Sequence, residues 1–309
     1  MVEEILKMLN PKSDGIYLDG TLGGGGHTEM LLQESSPNGR VIGIDKDTDA
    51  IAFASERLSG FGQRFTAVHS DYSIAAEVLD ELGIDLIDGA ILDLGVSSFQ
   101  LDSFDRGFSY RASDSPLDMR MDKTSGFSAK DVINGYSKED LERIFREYGE
   151  ERFSRKIAEK IVETRKNKQI ETCGELVKII VDTIPMKFQQ DGHPAKRVFQ
   201  AIRIEVNNEL EPLRKSVESI IRRLKVGGRM CVITFHSLED RIVKNLMKYM
   251  ATDCICDKSL PVCVCDKVKE IEIITNKPIV ATIEEQRINP RSKSAKLRVC
   301  ERITTKTVK

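Results

Sequence analysis

The first chemical signal is a run of nine residues, Asp19-Gly20-Thr21-Leu22-Gly23-Gly24-Gly25-Gly26-His27. It follows the apolar stretch from Ile16 and precedes an amphipathic one, so it reads as a strand-to-helix turn. Glycines at such a turn let a ligand approach the backbone with no Cβ in the way. The run does not contain G-x-G-x-x-G in register, so the pyrophosphate fingerprint of nicotinamide dinucleotides is missing. Asp45 ends the next apolar run, Arg40 to Asp45, about twenty residues on, where a carboxylate can accept hydrogen bonds from both hydroxyls of a ribose. Together these features point to an adenosine-bearing cofactor; glycines needed only for a tight turn are the alternative. Asp93 closes a third such run, Asp88 to Leu94, at the sheet edge where doubly wound folds place their reactions. Phe99, Phe104, Phe108 and Tyr110 follow it and offer faces on which a flipped base could stack. For any single one of them, a place in the core is the better expectation.

Two further groups bear chemistry. Leu224-Lys225-Val226-Gly227-Gly228-Arg229 resembles the glycine turn that opens the fifth strand of class I methyltransferases, which use S-adenosylmethionine. With Asp19 placed to meet the methionine ammonium and Asp45 the ribose, a methyl donor is favoured over a hydride carrier. Cys254, Cys256, Cys263 and Cys265 crowd onto one short segment. Four thiolates there could hold a single tetrahedral zinc, although C-x-C is a less usual pairing than C-x-x-C, and a reduced, metal-free loop is the alternative.

The elements that must position these residues follow from periodicity. Strands are expected at Ile16 to Asp19, Arg40 to Asp45, Phe65 to His69 and Asp88 to Leu94, with helices at His27 to Glu34, Asp49 to Leu58 and Ala75 to Leu82 between them. That is a βαβ alternation, and strands apolar on both faces belong inside a parallel sheet. After Gly95 the alternation stops. Leu141, Ile144, Phe145 and Tyr148, then Phe153, Ile157 and Ile161, then Leu176, Ile179 and Ile180 keep helical spacing. The doubly wound pattern resumes with a helix through Val217 to Leu224, a strand from Arg229 to His236, a helix from Leu238 to Met250, and β-rich runs at Ile271 to Thr275 and Lys296 to Ile303. The expected architecture is α/β: a doubly wound, Rossmann-like sheet formed by residues 1–105 and 197–309, with an all-helical insertion at 106–196 for substrate recognition.

With these motifs in place the chain closely resembles the bacterial RsmH/MraW family, methyltransferases that modify N4 of a cytosine in 16S ribosomal RNA. The resemblance rests on Asp19 to His27, Asp88 to Leu101, Arg106 to Tyr110, Pro116 to Asp122, Tyr148 to Ala158, His193 to Leu210, Gly227 to Lys244 and Asn289 to Val299. These blocks span nearly the whole chain. The resemblance implies a class I fold and a methyl-donor site made of Gly25, Gly26, His27, Asp45, Tyr72, Asp93 and Gln100, with Tyr72 at the adenine end and Gln100 over the methionine end. Asp93 is the expected hydrogen-bond acceptor for the target amine, and His236 and Asp240 are candidates for positioning the base or taking its proton. The sequence departs from the family pattern in lacking a His-x-Pro-Val-like lead and in carrying the four-cysteine segment.

Composition limits the partners. The 309 residues hold 47 Lys and Arg against 49 Asp and Glu, a net charge of −2, so any affinity for a polyanion must come from local concentration of bases. From Asp71 to Asp122 there are twelve acids and three arginines; from Arg287 to Lys309 there are eight bases and one glutamate. Lys196, Arg197, Arg291, Lys293, Lys296 and Arg298 are therefore the expected footprint on 16S ribosomal RNA within the small subunit, joined by Arg152, Arg155, Lys156 and Lys160. Between Arg143 and Lys168, five glutamates interleave nine bases, which reads mostly as a solvated face. No signal peptide and no apolar run near the roughly 18 residues of a spanning helix are found. Seven cysteines, an odd number, fit a reduced cytoplasmic protein with no membrane partner. Two rival functions remain on these residues alone. A nicotinamide oxidoreductase would need the missing glycine pattern, and a non-catalytic RNA-binding factor would not need the donor pocket.

Overall fold

A computed structural model of the chain describes residues 1–190, 192–257 and 262–306. In chain order, α1 (Val2–Leu9), β1 (Ile16–Asp19), α2 (Gly26–Glu34), β2 (Arg40–Asp45), α3 (Thr48–Arg57), β3 (Phe65–His69), α4 (Ala75–Glu81) and β4 (Ile87–Asp93) form the βαβ alternation. Six helices follow: α5 (Ser98–Asp102), α6 (Ala129–Gly135), α7 (Lys138–Glu147), α8 (Ser154–Arg165), α9 (Cys173–Thr183) and α10 (Ala195–Asn207). The chain then returns to the sheet through α11 (Leu213–Arg222), β5 (Leu224–Thr234), α12 (Ser237–Met250), β6 (Ile271–Ile273), β7 (Ile279–Val280), α13 (Ile283–Ile288) and β8 (Lys296–Arg302). None of the described helices is long and apolar enough to cross a membrane.

The sheet runs β3-β2-β1-β4-β5-β8-β6, with β7 also paired to β8. The first five strands are mutually parallel, and β8 is antiparallel to its neighbours. The order reverses between β1 and β4, so the crevice at their carboxyl ends is the topological switch point, and Asp19 and Asp93 stand at its two sides. Alternation along each strand sends successive side chains to opposite faces. Leu18, Ala90 and Met230 are cross-strand neighbours on the face covered by α4, α11 and α12. Tyr17, Ile91 and Cys231 lie on the other face, under α1, α2 and α3. Each fully buried aliphatic side chain in these layers contributes about 1.5 to 3 kcal/mol.

Two expectations about boundaries need correction. The chain divides into two compact units, Met1–Gly95 with Leu210–Lys309, and Val96–Glu209. The helical unit is thus wider at both ends than 106–196, for a packing reason. Val96 and Leu101 lie against its core, and α10 buries Ala195, Val198, Phe199, Ala201 and Ile202 in the same cluster. Likewise β5 starts at Leu224, ahead of Arg229. Gly227 (φ 82°) and Gly228 do not end a turn but shift the strand's register against β4 between Ile87 and Gly89. A Cβ on Gly228 would meet Asp88 O at 3.0 Å. The short β7 was not signalled by the sequence.

Candidate active site

The glycine run is tied down from three sides. Asp19, fully buried at the end of β1, accepts the Thr28 hydroxyl at 2.8 Å and the Thr21 N–H at 3.2 Å. Leu22 N–H donates to Ile44 O at 2.9 Å, and Gly23 N–H donates to Asp45 Oδ2 at 2.7 Å. Asp19 therefore holds the loop to α2, and its complete burial separates it from any ligand at the loop's surface, unlike the expected role against a methionine ammonium. Burial, the largest influence, pushes its carboxyl above the usual range, while His27 and its threonine bonds pull the other way.

At the mouth of this loop the glycines differ. Gly25 is the N-cap of α2 with φ 76°, and a Cβ there would lie 3.1 Å from Leu58 Cδ1 and 3.2 Å from Ala54 Cβ. A Cβ on Gly26 would meet nothing within 4 Å. Packing thus demands glycine at the first position and leaves open space at the second. Asp45, at the end of β2, accepts a second backbone bond from Asp47 N–H at 2.9 Å. Each of its oxygens keeps lone-pair capacity for a further donor. Burial raises its carboxyl, with the two backbone bonds opposing. Tyr72 is half-buried beside the start of the run, its Cβ 3.2 Å from where a Gly20 Cβ would stand. Its neighbour Asp71 pairs with Lys46 and accepts Ser73 N–H at 2.7 Å.

Asp93 ends β4 opposite the same loop. Its N–H donates to Thr21 Oγ1 at 2.6 Å, and its Oδ2 lies 3.8 Å from Nδ1 of His27, a residue of the first turn of α2. Its Oδ1 is buried and has no hydrogen-bond partner. A buried carboxylate oxygen without a donor is costly, and here it sits at the switch point. Burial pushes the Asp93 carboxyl up to about 6; His27 pulls it down, whereas the charges of Asp19 and Glu239 add to the rise.

The end of β5 brings a residue that the sequence reading missed. Glu239, almost fully buried, accepts Phe235 N–H at 2.8 Å and His236 N–H at 3.2 Å, and its Oε1 lies 3.0 Å from His236 Nε2. That last contact is close but not aligned as a hydrogen bond, so Nε2 is left without a partner. His236 is the N-cap of α12 in a capping box closed by Glu239. The signal was present, since His-x-x-Glu before an apolar run has the spacing of a capping box. Asp240, by contrast, is taken up by an ion-pair cluster. It accepts from Arg298 Nε at 2.7 Å and Lys296 Nζ at 3.4 Å. Burial would raise its carboxyl, but these two cations overcome it and hold it below the usual range.

The same cluster takes up one expected RNA contact. Arg298 is 7% exposed and committed to Asp240, whereas Lys296 reaches the same acid at 3.4 Å with its side chain 42% exposed. Arg291 and Lys293 are exposed, on the turn Pro290–Ser294. In the helical unit, Lys196 and Arg197 are exposed on the first turn of α10, Arg197 also donating to Glu150 O at 3.2 Å. Arg155 and Lys160 pair with Glu159 and Glu163, as a solvated face would. Gln100 also belongs to this unit and is 4% exposed; its Oε1 accepts Ser97 N–H at 3.0 Å in the capping box of α5. Its Oε1 thus helps to start a helix. Phe108 is core and Tyr110 stacks on His193 at 4.5 Å between centroids, whereas Phe99 and Phe104 are exposed.

Comparison with known proteins decides the family. The model of the MraW methylase family matches residues 1–303. The chain belongs to that family. Among curated MraW relatives, a ribosomal RNA small subunit methyltransferase H of Clostridium botulinum (Loch Maree) is 55% identical over 303 residues, covering 98% of this chain and 97% of the relative. One of Clostridioides difficile is 52% identical over 304 residues, with 98% and 97% covered. A solved structure described as a putative rRNA-methylase from Clostridium thermocellum aligns over 97% of this chain and 94% of its own at 14% identity, with a TM-score of 0.46; at that score the likeness carries no argument. The MraW assignment agrees with the family resemblance read from the motifs, and the parallel sheet with its switch-point loop is the class I methyltransferase architecture.

The four cysteines lie apart from these residues, between α12 and β6. Their sulfurs all fall within 4.8 Å of one another.

Proposed function

We propose that this chain transfers a methyl group from S-adenosylmethionine to the exocyclic N4 amine of a cytosine in 16S ribosomal RNA, acting on the small subunit in the cytoplasm. The observation that carries the proposal is the buried, unpartnered Oδ1 of Asp93 at the switch point, beside His27 and a glycine loop with open space at Gly26. The printed names of the relatives at 52% and 55% identity support ribosomal RNA of the small subunit as substrate. The choice of cytosine N4 rests on the family resemblance.

The residues present fit the donor. Gly25, Gly26 and His27 would form its cradle, Asp45 would take the ribose hydroxyls on its remaining lone pairs, and Tyr72 would flank the adenine. When bound, the donor supplies an electrophilic methyl group. Asp93 accounts for the other half of the chemistry. The N4 lone pair is delocalised into the pyrimidine ring, so the amine is a poor nucleophile until an acceptor binds its N–H and turns the lone pair outward. Asp93 Oδ1 offers that acceptor without having to break an existing bond. As the N–C bond forms the nitrogen must lose a proton, and a carboxylate raised to about 6 is well matched to receive it near neutral pH. His236, held by Glu239 at the neighbouring strand end, would orient the base. The four-thiol segment has no part in this transfer.

The deciding experiment is transfer of a labelled methyl group to small subunits lacking the modification, followed by nucleoside analysis. Label in N4-methylcytidine is expected. Label on a ring carbon, on a ribose hydroxyl, or nowhere in the RNA would overturn the proposal.

A further inference from the structure

We infer that Cys254, Cys256, Cys263 and Cys265 bind one zinc ion through four thiolates, as a clasp on the connection between α12 and β6. Each Cys-x-Cys pair brings its two sulfurs into one cluster and leaves the residue between them outside it. Ile255 and Val264 are accordingly 55% and 73% exposed, and Val262 is 70% exposed. The sulfurs of the two pairs face each other at 3.6 Å (Cys254 to Cys263), 3.8 Å (Cys256 to Cys263) and 3.9 Å (Cys254 to Cys265), and within the second pair Cys263 and Cys265 are 3.5 Å apart. Zinc–thiolate bonds of about 2.3 Å at tetrahedral angles separate sulfurs by roughly 3.8 Å. A disulfide would need about 2.05 Å, which none of these pairs approaches.

The backbone prepares the sulfurs for negative charge. Ile255 N–H donates to Cys265 Sγ at 3.4 Å and Val264 N–H donates to Cys256 Sγ at 3.3 Å. Each pair thus supplies an amide to a sulfur of the other. Such outer donors offset the charge of four thiolates on a divalent ion and orient the ligands. The base of the excursion is already closed by Glu270 N–H on Met250 O at 2.8 Å and by Lys267 packed 4.8 Å over the Tyr249 ring. Around the sulfurs the described aliphatic residues Ile255, Val262 and Val264 are exposed and provide no core. A metal ion supplies the cohesion that burial does not. All-sulfur tetrahedral ligation suits zinc or iron. An exposed, single-ion site of four thiolates with no room for bridging sulfides favours zinc.

The test uses the full chain, purified under reducing conditions and incubated with zinc, then freed of loosely held metal. One zinc per chain is expected by elemental analysis, and cobalt(II) in its place should give the intense thiolate charge-transfer and tetrahedral ligand-field bands of a four-sulfur site. Replacing all four cysteines by serine should abolish both signals while the circular dichroism stays that of the folded chain; C263S alone should weaken zinc binding by on the order of a hundredfold. No retained metal, iron in place of zinc, disulfides among the four cysteines in the reduced preparation, or zinc kept by the quadruple variant would each overturn the inference. Calorimetry with S-adenosylmethionine separates this site from the transfer site, since donor affinity should be the same with and without the four thiols.

Discussion

Arg298 grips Asp240 through Nε at 2.7 Å and a terminal nitrogen at 3.2 Å, joining β8 to the first turn of α12. An acid that looked catalytic and a base that looked like a phosphate ligand satisfy each other instead. Their side chains are 8% and 14% exposed, and Lys296 completes a cluster of two cations on one carboxylate. Removing one partner of a pair this sheltered leaves the other charge poorly solvated, a loss of about 3 kcal/mol. R298A should therefore lower the denaturation midpoint, while the salt dependence of subunit binding stays that of the wild type. D240N should lose stability similarly and keep most of its methyl transfer. A flattened salt slope for R298A at unchanged stability would return Arg298 to the RNA footprint.

Asp93 ties function to pH with a definite sign. Its folded carboxyl titrates at about 6, above the 3.8 of a free aspartate, mainly through burial. The folded state thus holds a proton that the unfolded state has released. The stability that this contributes is fully present below about pH 3.8 and is lost as pH rises through about 6. At 1.36 kcal/mol per pKa unit the cost above pH 6 is at most about 3 kcal/mol, and partial exposure of the side chain lowers it to roughly 1 to 2. D93N should accordingly unfold at higher denaturant than the wild type at pH 8 and lose that advantage at pH 4. The same variant should lose at least a hundredfold in single-turnover transfer while donor affinity changes little. Wild-type transfer should rise with pH to a plateau above about 6, as an acceptor that must be ionised requires.

The remaining exposed bases are the ones to test against RNA. Neutralising Lys196, Arg197, Arg291 and Lys293 should raise the apparent KM for small subunits and reduce the log-log salt slope by about 0.7 to 0.9 for each phosphate that is no longer neutralised. Donor binding should not move. A variant that keeps the wild-type slope would place the footprint on other residues.

How far these features were legible in the chain depends on their range. The strands of the parallel sheet could be read because each is a short apolar run with its own turn chemistry, and β1, β2 and β3 fall where periodicity puts them. The glycine loop and the acids at the strand ends were legible for the same local reason. What was not legible is pairing. Nothing in the order of residues says that Asp240 meets Arg298, 58 positions away, or that Asp19 is consumed by Thr28. The capping box in which Gln100 Oε1 accepts the N–H of Ser97, three residues back, was likewise not read from the sequence. Charge and polarity in a sequence give the supply of donors and acceptors; only the fold shows which are already satisfied.

The two glycines that open α2 provide the sharpest separation of fold from function. At Gly25 the backbone has φ 76° and an added methyl would press on Leu58 and Ala54 at 3.1 and 3.2 Å. G25A combines a left-handed penalty of roughly 1 to 2 kcal/mol with that crowding, so it should be less stable by at least about that amount, with donor binding weakened as a consequence. Gly26 is the first residue of the helix and faces open space. G26A carries no steric conflict within the chain and gains helix propensity of up to about 1 kcal/mol, so its denaturation midpoint should equal or exceed the wild type. If the open space is the donor's, the added methyl occupies it, and S-adenosylmethionine affinity should fall at least tenfold in calorimetry. The pair of variants therefore moves in opposite directions on stability while both lose the donor. A G26A protein that binds S-adenosylmethionine as tightly as the wild type would mean that the space beside Gly26 is solvent, and that the cradle lies elsewhere on the loop.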